Sequence, residues 1–279
     1  MQRAMPELPE TETIARDLDA DVRGATICAV HVRKADVLRE ASSEQFAQAL
    51  SGGVITRVWR RAKLVILDIA PHWHMVVQPR FTGGLLIDHG TLAAKELAYV
   101  AVTLHFDDTR LLHYRDVRRL GTVALMSPSR LAAYTGALGV EPLDLALDDE
   151  VFSVLLRGSR RAIKIALMDQ RLLAGVGNIY ANEALWLAGI DPSREALSLS
   201  RVEASALRVA LVHVLTASIA ARGTSFRDYR DARGERGQFV AQLAVYGRAG
   251  EPCLRCGRRL IGTHAVDGRN SIFCATCQH

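Results

Sequence analysis

Cysteine is almost missing from the first 252 residues of the chain. Cys28 stands alone there, and the other four fall within the last 27 positions. That distribution excludes a disulfide framework, which would spread its cysteines across a small secreted chain. No uninterrupted apolar run reaches the roughly 18–20 residues that a membrane-spanning helix needs. The N-terminal string MQRAMPELPETE lacks the apolar core of a secretory signal. The expected compartment is the cytoplasm, with no membrane partner. Cys28 itself lies in the alternating segment Thr26–Val32, which predicts a buried strand position for it. Internal repeats and low-complexity tracts are also lacking.

The charge balance is mildly basic, with 35 Lys and Arg against 30 Asp and Glu, a net charge of +5. The arginines are grouped at Arg57, Arg60 and Arg61; at Arg115, Arg118 and Arg119; at Arg157, Arg160 and Arg161; and at Arg255, Arg258 and Arg259. One such group usually marks a solvated face. Four of them, each beside a motif described below, predict a phosphate-bearing polyanionic partner.

With 279 residues, 49% hydrophobic and 23% charged, the chain is long enough for two cores. Residues 8–22 predict a helix, with Ile14, Leu18 and Val22 at spacing four and Glu10, Glu12 and Asp17 toward its start. Short apolar or alternating runs at 25–39, 53–69, 74–88, 99–107, 110–115 and 121–126 predict strands, with a short helix from Ser43 to Leu50 between them. Strands without helical crossovers predict a sandwich or barrel. Beyond Pro128 the pattern turns helical, at 128–137, 149–156, 161–168, 179–188 and 200–220. Gly136–Leu145 is turn-rich and marks a boundary. Phe226 to Gly250 is polar and rich in Gly and Arg, and Arg233–Gly237 reads as a mobile loop. The expected fold class is α+β: an N-terminal helix plus β-sandwich domain over 1–135, a helical domain over 136–225, and a C-terminal segment over 226–279 that ends in a small cysteine module.

That module has the spacing C-x2-C, seventeen residues, C-x2-C, through Cys253, Cys256, Cys274 and Cys277. Two thiolates three positions apart grip one ion across a tight turn, and two such turns complete a closed tetrahedral site. One structural Zn2+ is expected, since all four positions are protein sulfur and none is left for a substrate. Gly257 follows the first pair, where the turn calls for positive φ. Between the pairs, Thr263–Arg269 predicts a β-hairpin with Asp267-Gly268 at the turn and Arg269 at its tip.

Further strings occur in order along the chain. They are Met5-Pro6-Glu7-Leu8-Pro9-Glu10, Arg60-Arg61-Ala62-Lys63, Arg118-Arg119-Leu120-Gly121, and Leu138-Gly139-Val140-Glu141-Pro142-Leu143. They continue with Ile163-Lys164, with Gly175-Val176-Gly177-Asn178-Ile179-Tyr180-Ala181-Asn182-Glu183, and with Val245-Tyr246-Gly247-Arg248. From residue 5 onward their order and spacing resemble the formamidopyrimidine-DNA glycosylase family. The resemblance implies a β-sandwich, a helix–two-turns–helix motif and a zinc-finger hairpin. It also implies a monomeric base-excision repair enzyme, associated with the nucleoid. Such an enzyme removes oxidised purines (8-oxoguanine, formamidopyrimidines) from double-stranded DNA and then cleaves the abasic site by β,δ-elimination.

The resemblance carries roles onto particular residues, and each is chemically apt. Pro6 would be the nucleophile: an N-terminal proline is a secondary amine, α-amino groups titrate near pH 8, and an amine forms an iminium with C1′ of the sugar. Glu7 would move protons beside it, with Glu10 in support, and Lys63 would meet a phosphate and assist elimination. Lys164, Asn178 and Arg269 would clamp phosphates, aided by the glycine turn before Asn178. An excised base must leave the duplex stack, and Phe81, Arg118 and Leu120 would fill the space it vacates. Gly223–Gly237 matches the loop that caps the lesion.

The sequence departs from the family pattern at Gln78-Pro79-Arg80-Phe81, at Val117 and at Leu120, all within the expected DNA-reading surface. It also has Met1-Gln2-Arg3-Ala4 ahead of Met5. With those residues in place the Pro6 nitrogen is a tertiary amide with no basic lone pair, so the active form is expected to start at Met5 or otherwise to expose Pro6. A lyase-deficient relative that only binds damaged DNA, and the branch that acts on oxidised pyrimidines, stand as alternatives.

Overall fold

The computed structural model describes residues 5–279, so the expectation for Met1–Ala4 lies outside the described residues. Two compact units divide the chain. One takes the described residues up to Gly136 together with Ala221–Gln238, and the other takes Ala137–Ala220 with Phe239–His279. Ala221–Gln238 therefore joins the first unit, whereas a C-terminal segment opening at 226 was expected. The reason is local: Thr224 N donates to Glu10 at 2.7 Å, Ile87 N donates to Ala232 O at 2.9 Å, and Arg222 pairs with Asp17.

The first unit opens with α1 (Leu8–Val22), β1 (Ile27–Val32), β2 (Leu38–Arg39) and α2 (Ser43–Leu50). There follow β3 (Val54–Arg61), β4 (Leu64–Ala70), β5 (Trp73–Gln78) and β6 (Gly83–Asp88). The short α3 (Ala94–Leu97), β7 (Val100–Phe106), β8 (Leu111–Asp116), β9 (Thr122–Met126) and α4 (Pro128–Gly136) complete it. The strands form two sheets, in the orders β1-β7-β8-β6 and β2-β9-β5-β4-β3. The sheets share one core, to which β4 contributes Val65, Leu67 and Ile69 and β7 contributes Val102, Leu104 and Phe106. The expected stripe of α1, Ile14, Leu18 and Val22, is fully buried in the same core. Each such side chain contributes on the order of 2 kcal/mol.

Three runs that read as single strands are each divided. The run 25–39 is broken by a 3-10 turn at Ala35–Val37, and 53–69 by a two-residue turn at Ala62-Lys63 with Ala62 at φ +53. The run 74–88 is broken between β5 and β6. The Ala62-Lys63 turn has none of the Gly, Asn or Asp residues that announce a hairpin, so the pattern alone passes over it. Cys28 is a correction: it sits in a strand, but the β1–β7 pairing slips between Ile27 and Ala29, and Cys28 in that bulge is exposed. A bulge leaves one residue out of register and redirects its side chain.

The second unit contains α5 (Asp149–Arg157), α6 (Ile163–Met168), α7 (Asn178–Ala188), α8 (Arg201–Ala220), β10 (Ile261–Thr263) and β11 (Ser271–Phe273). By length and composition α8 could cross a membrane. It behaves as a core helix, however, burying Ala204, Leu207, Leu211, Val214, Leu215 and Ser218 along one stripe. At the edge of that stripe Arg208 pairs with Asp149 of α5 at 2.5 Å.

Candidate functional site

In the first unit the start of α1 is organised by carboxylates. Glu7 and Glu10 form a capping box: Glu7 caps the first turn with its side chain, and its own N–H donates to Glu10 Oε2 at 2.8 Å. The other oxygen of Glu10 accepts the Thr224 N–H at 2.7 Å. Glu7 and Glu10 are both buried, at 3% and 1% exposure. Such burial is tolerable for a carboxylate only because hydrogen bonds replace its water. Pro6 is buried immediately before them.

Lys63 occupies the β3–β4 turn and is 9% exposed. Two contacts hold that turn against α1. Thr11 Oγ1 donates to Ala62 O at 3.4 Å, and Arg60 Nε donates to Glu12 Oε2 at 2.7 Å. Burial raises the Glu12 carboxyl, but its contacts with Arg60 and Arg16 outweigh that and hold it below its ordinary value. Pro6, Glu7 and the Lys63 turn thus belong to one end of one helix.

Phe81, Arg118 and Leu120 belong to two neighbouring loops. The Arg118 guanidinium lies 5.5 Å from the Phe81 ring centre, a cation–π distance. Leu120 is 40% exposed, a large apolar side chain held in solvent. Sequence reasoning missed the residue that builds this arrangement, Asp116. It is 2% exposed and accepts from Thr82 Oγ1, from Arg118 N at 3.1 Å, from Gly121 N at 2.8 Å and from Tyr114 OH at 3.2 Å. Burial and the adjacent Asp116 push the Tyr114 hydroxyl well above its ordinary value, so it stays a donor. Gly121 is obligatory, because a Cβ there would lie 2.2 Å from Tyr114 OH. The only signal in the sequence was an aspartate opening a short loop closed by glycine.

The Arg233–Gly237 stretch, expected to be mobile, closes around the fully buried Asp231. Asp231 Oδ1 accepts Arg233 N at 3.0 Å and Glu235 N at 2.9 Å.

In the second unit α6 and α7 are joined by two tight turns. The Gln170 side chain stitches them, donating to Met168 O and Val176 O and accepting Gly175 N, all at 2.8–2.9 Å. Gly175 has φ +91, a conformation that glycine alone adopts without strain. Asn178, partly exposed, begins α7 with Gly177 as its N-cap.

Lys164 differs from expectation. It is fully buried, and its Nζ donates to Ser271 Oγ at 2.7 Å, Asp267 Oδ1 at 3.2 Å and Asn270 O at 3.3 Å. A lysine so placed does not present its charge at the surface. Asn178 Nδ2 donates to the same Asn270 carbonyl at 3.2 Å. Asp267 Oδ1 also accepts the Arg269 N–H at 3.0 Å, while the Arg269 side chain is exposed. The loop bearing Arg269 is therefore fastened to α6 and α7. It is longer than the expected two-residue turn, running from residue 264 to 270 between β10 and β11.

The four Sγ atoms of Cys253, Cys256, Cys274 and Cys277 lie within 4.8 Å of one another. Tetrahedral thiolates about one ion stand roughly 3.8 Å apart at ordinary metal–sulfur distances, so the cluster fits a single metal. Gly257 has φ +74, and its N–H donates to Cys253 O at 2.9 Å. Arg255 N points at Cys253 Sγ at 3.5 Å, a backbone donor of the kind that steadies a thiolate. The module is docked through Glu183, whose carboxylate accepts Ala244 N, Val245 N and Tyr246 N at 2.7–3.0 Å. Burial raises the Glu183 carboxyl even against those three donors.

A helix-led β-sandwich with a capped acidic N-terminus, a helix–two-turns–helix motif and a four-cysteine metal module together define a DNA-repair glycosylase architecture. Residues 5–123 match the formamidopyrimidine-DNA glycosylase N-terminal domain and residues 138–230 the formamidopyrimidine-DNA glycosylase H2TH domain. The formamidopyrimidine-DNA glycosylase of Moorella thermoacetica is 42% identical over 92% of this chain and 93% of its own. That of Herpetosiphon aurantiacus is 41% identical over 98% and 100%. The structure of the Lactococcus lactis Fpg protein in complex with abasic-site DNA superposes with a TM-score of 0.89 at 33% identity, covering 98% and 99% of the two chains. The chain belongs to the formamidopyrimidine-DNA glycosylase family. It is a base-excision repair enzyme for oxidised purines, with duplex DNA as its partner.

Proposed function

We propose that excision and strand cleavage both run through the nitrogen of Pro6. Supporting this is the convergence of Pro6, Glu7, Glu10 and the Lys63 turn at one helix end. With Pro6 as the first residue, its secondary amine attacks C1′, the base departs with a proton, and the opened sugar is left as an iminium. Glu7 delivers the proton that opens the ring. Loss of a C2′ proton then expels the 3′ phosphate, and a second elimination expels the 5′ phosphate. Lys63 neutralises charge on a flanking phosphate.

Asn178 and Arg269 bind phosphates, the first at a helix N-terminus and the second through its fork of donors. Lys164 acts at one remove, by holding the loop that carries Arg269. Phe81, Arg118 and Leu120 occupy the space left by the extruded nucleotide, and Gly223–Gly237 covers the base. The metal is one Zn2+ held by Cys253, Cys256, Cys274 and Cys277, and it is structural, because all four ligand positions are filled by sulfur. The enzyme works as a monomer on the nucleoid in the cytoplasm.

Borohydride trapping tests the central step. Protein beginning at Pro6 is expected to form a covalent adduct with an abasic duplex, and protein with Met1–Ala4 retained is not. Equal trapping by the extended protein, its N-terminus verified by mass, would remove Pro6 as nucleophile and point to Lys63.

A further inference from the structure

Arg222 stands where the chain leaves α8 and re-enters the first unit. Its backbone has φ +61, a conformation that residues with a side chain rarely adopt. Its guanidinium lies between two carboxylates from distant parts of the sequence. Nη2 meets Asp17 Oδ2 at 2.5 Å, while Nε and Nη2 meet Asp231 Oδ2 at 2.8 and 2.6 Å. Both acids are buried, Asp231 completely and Asp17 to 7% exposure. Burial also raises the Asp17 carboxyl, against the pull of Arg222. Either carboxylate left without the arginine would be a buried charge facing a like charge.

The two acids belong to the two parts that the reaction needs in register. Asp17 lies on α1, the helix that begins two residues after Pro6. Asp231 is the hub of the 221–238 segment, since its other oxygen holds the Arg233 and Glu235 N–H groups. The same segment meets α1 again at its start, where Glu10 accepts Thr224 N while also accepting Glu7 N. Tyr229, a buried residue of the segment itself, directs its hydroxyl to Glu10 O at 3.3 Å and Arg222 O at 3.2 Å.

We infer that Arg222, with Asp17 and Asp231, is a positioning clamp that sets the base-covering segment in register with the nucleophile's helix, and so serves base excision rather than strand cleavage. The inference rests on the reading of Gly223–Gly237 as the segment that covers an extruded base. An abasic site has no base to cover, so the two activities should separate. A misplacement on the ångström scale is enough to slow an oriented reaction by orders of magnitude.

The test uses full-length protein with a free Pro6. Single-turnover excision of 8-oxoguanine from a duplex is compared with cleavage of a preformed abasic duplex, for wild type, Arg222→Met and Arg222→Lys. Arg222→Met is expected to slow excision about tenfold or more while leaving abasic cleavage within roughly twofold. Arg222→Lys, which keeps the charge between the two acids, is expected to recover most of the excision rate. Normal excision by Arg222→Met overturns the clamp, as does a parallel loss of both activities together with a lowered melting temperature. Wild type inactive in both assays would overturn the enzymatic reading, and the clamp with it. Wild type active in both beside an unimpaired Arg222→Met would overturn the clamp alone.

Discussion

Buried charged side chains do most of the building at the residue scale, and each is surrounded by donors or acceptors that replace water. Asp116 shapes the Phe81–Arg118–Leu120 surface, Glu183 docks the metal module, and Lys164 fastens the Arg269 loop. This separates two cations that the sequence alone groups together as phosphate ligands. Arg269→Ala is expected to weaken DNA binding across sequences and to flatten the dependence of log K on log salt by about one unit, the loss of one phosphate contact. Lys164→Met is expected to weaken binding as well, by loosening the loop, while leaving the slope unchanged. Binding isotherms over a series of salt concentrations decide between them, and a slope lowered equally by both substitutions would return Lys164 to the set of direct contacts. The residues identified from sequence were those in short contiguous strings, such as Gly175–Glu183. Asp116, Asp231 and Gln170 escaped notice because each bonds in part to backbone N–H or C=O groups, which carry no residue identity for a sequence pattern to display.

Elements were legible to the extent that they announce their own ends. Helix α2 carries a capping box from Ser42 to Gln45, and α1 has its proline and acids at the start, so both are found at their observed bounds. Strands were harder, because a turn such as Ala62-Lys63 depends on a left-handed alanine that the surrounding sheet enforces. Helix α8 has the clearest start of all. Ser200 Oγ accepts Glu203 N at 3.2 Å, Glu203 accepts Ser200 N at 2.8 Å, and Arg194 adds a 2.6 Å ion pair. These contacts, led by Arg194, hold the Glu203 carboxyl down at about 2, against an ordinary 4.5. Because the folded value lies below the unfolded one, the stabilisation is complete above about pH 4.5 and is lost as the pH falls toward 2. Glu203→Ala is expected to lower stability at neutral pH by roughly 0.5–1 kcal/mol. The gap between variant and wild type in denaturant midpoints should narrow steadily below pH 4.5. A gap constant down to pH 2.5 would show that the charge on Glu203 contributes nothing.

On the scale of the whole molecule, the chain makes two units and then spends its last residues on a module with little core of its own. The apolar cluster there consists of Val245, Cys253, Leu260, Ile272 and Cys274, with Trp186 and Cys277 packed against it. Two of those five buried side chains are cysteines, whose thiolates are the proposed metal ligands. So small a cluster cannot offset the entropy of ordering the final 27 residues, and the metal must supply the difference. The first unit needs none of this, since its core runs through α1 and both sheets. Cys274→Ala is therefore expected to abolish binding of the one metal ion and to weaken DNA affinity, because the loop carrying Arg269 continues directly into β11 and Cys274. Hydrogen-exchange protection across residues 5–120 should stay as in wild type. Metal content by elemental analysis, read beside exchange protection of α1 and the sheets, checks both halves. Undiminished metal in the variant would show that the four cysteines are not the ligand set. Lost protection in α1 would show that the module supports the catalytic unit as well as the DNA contact.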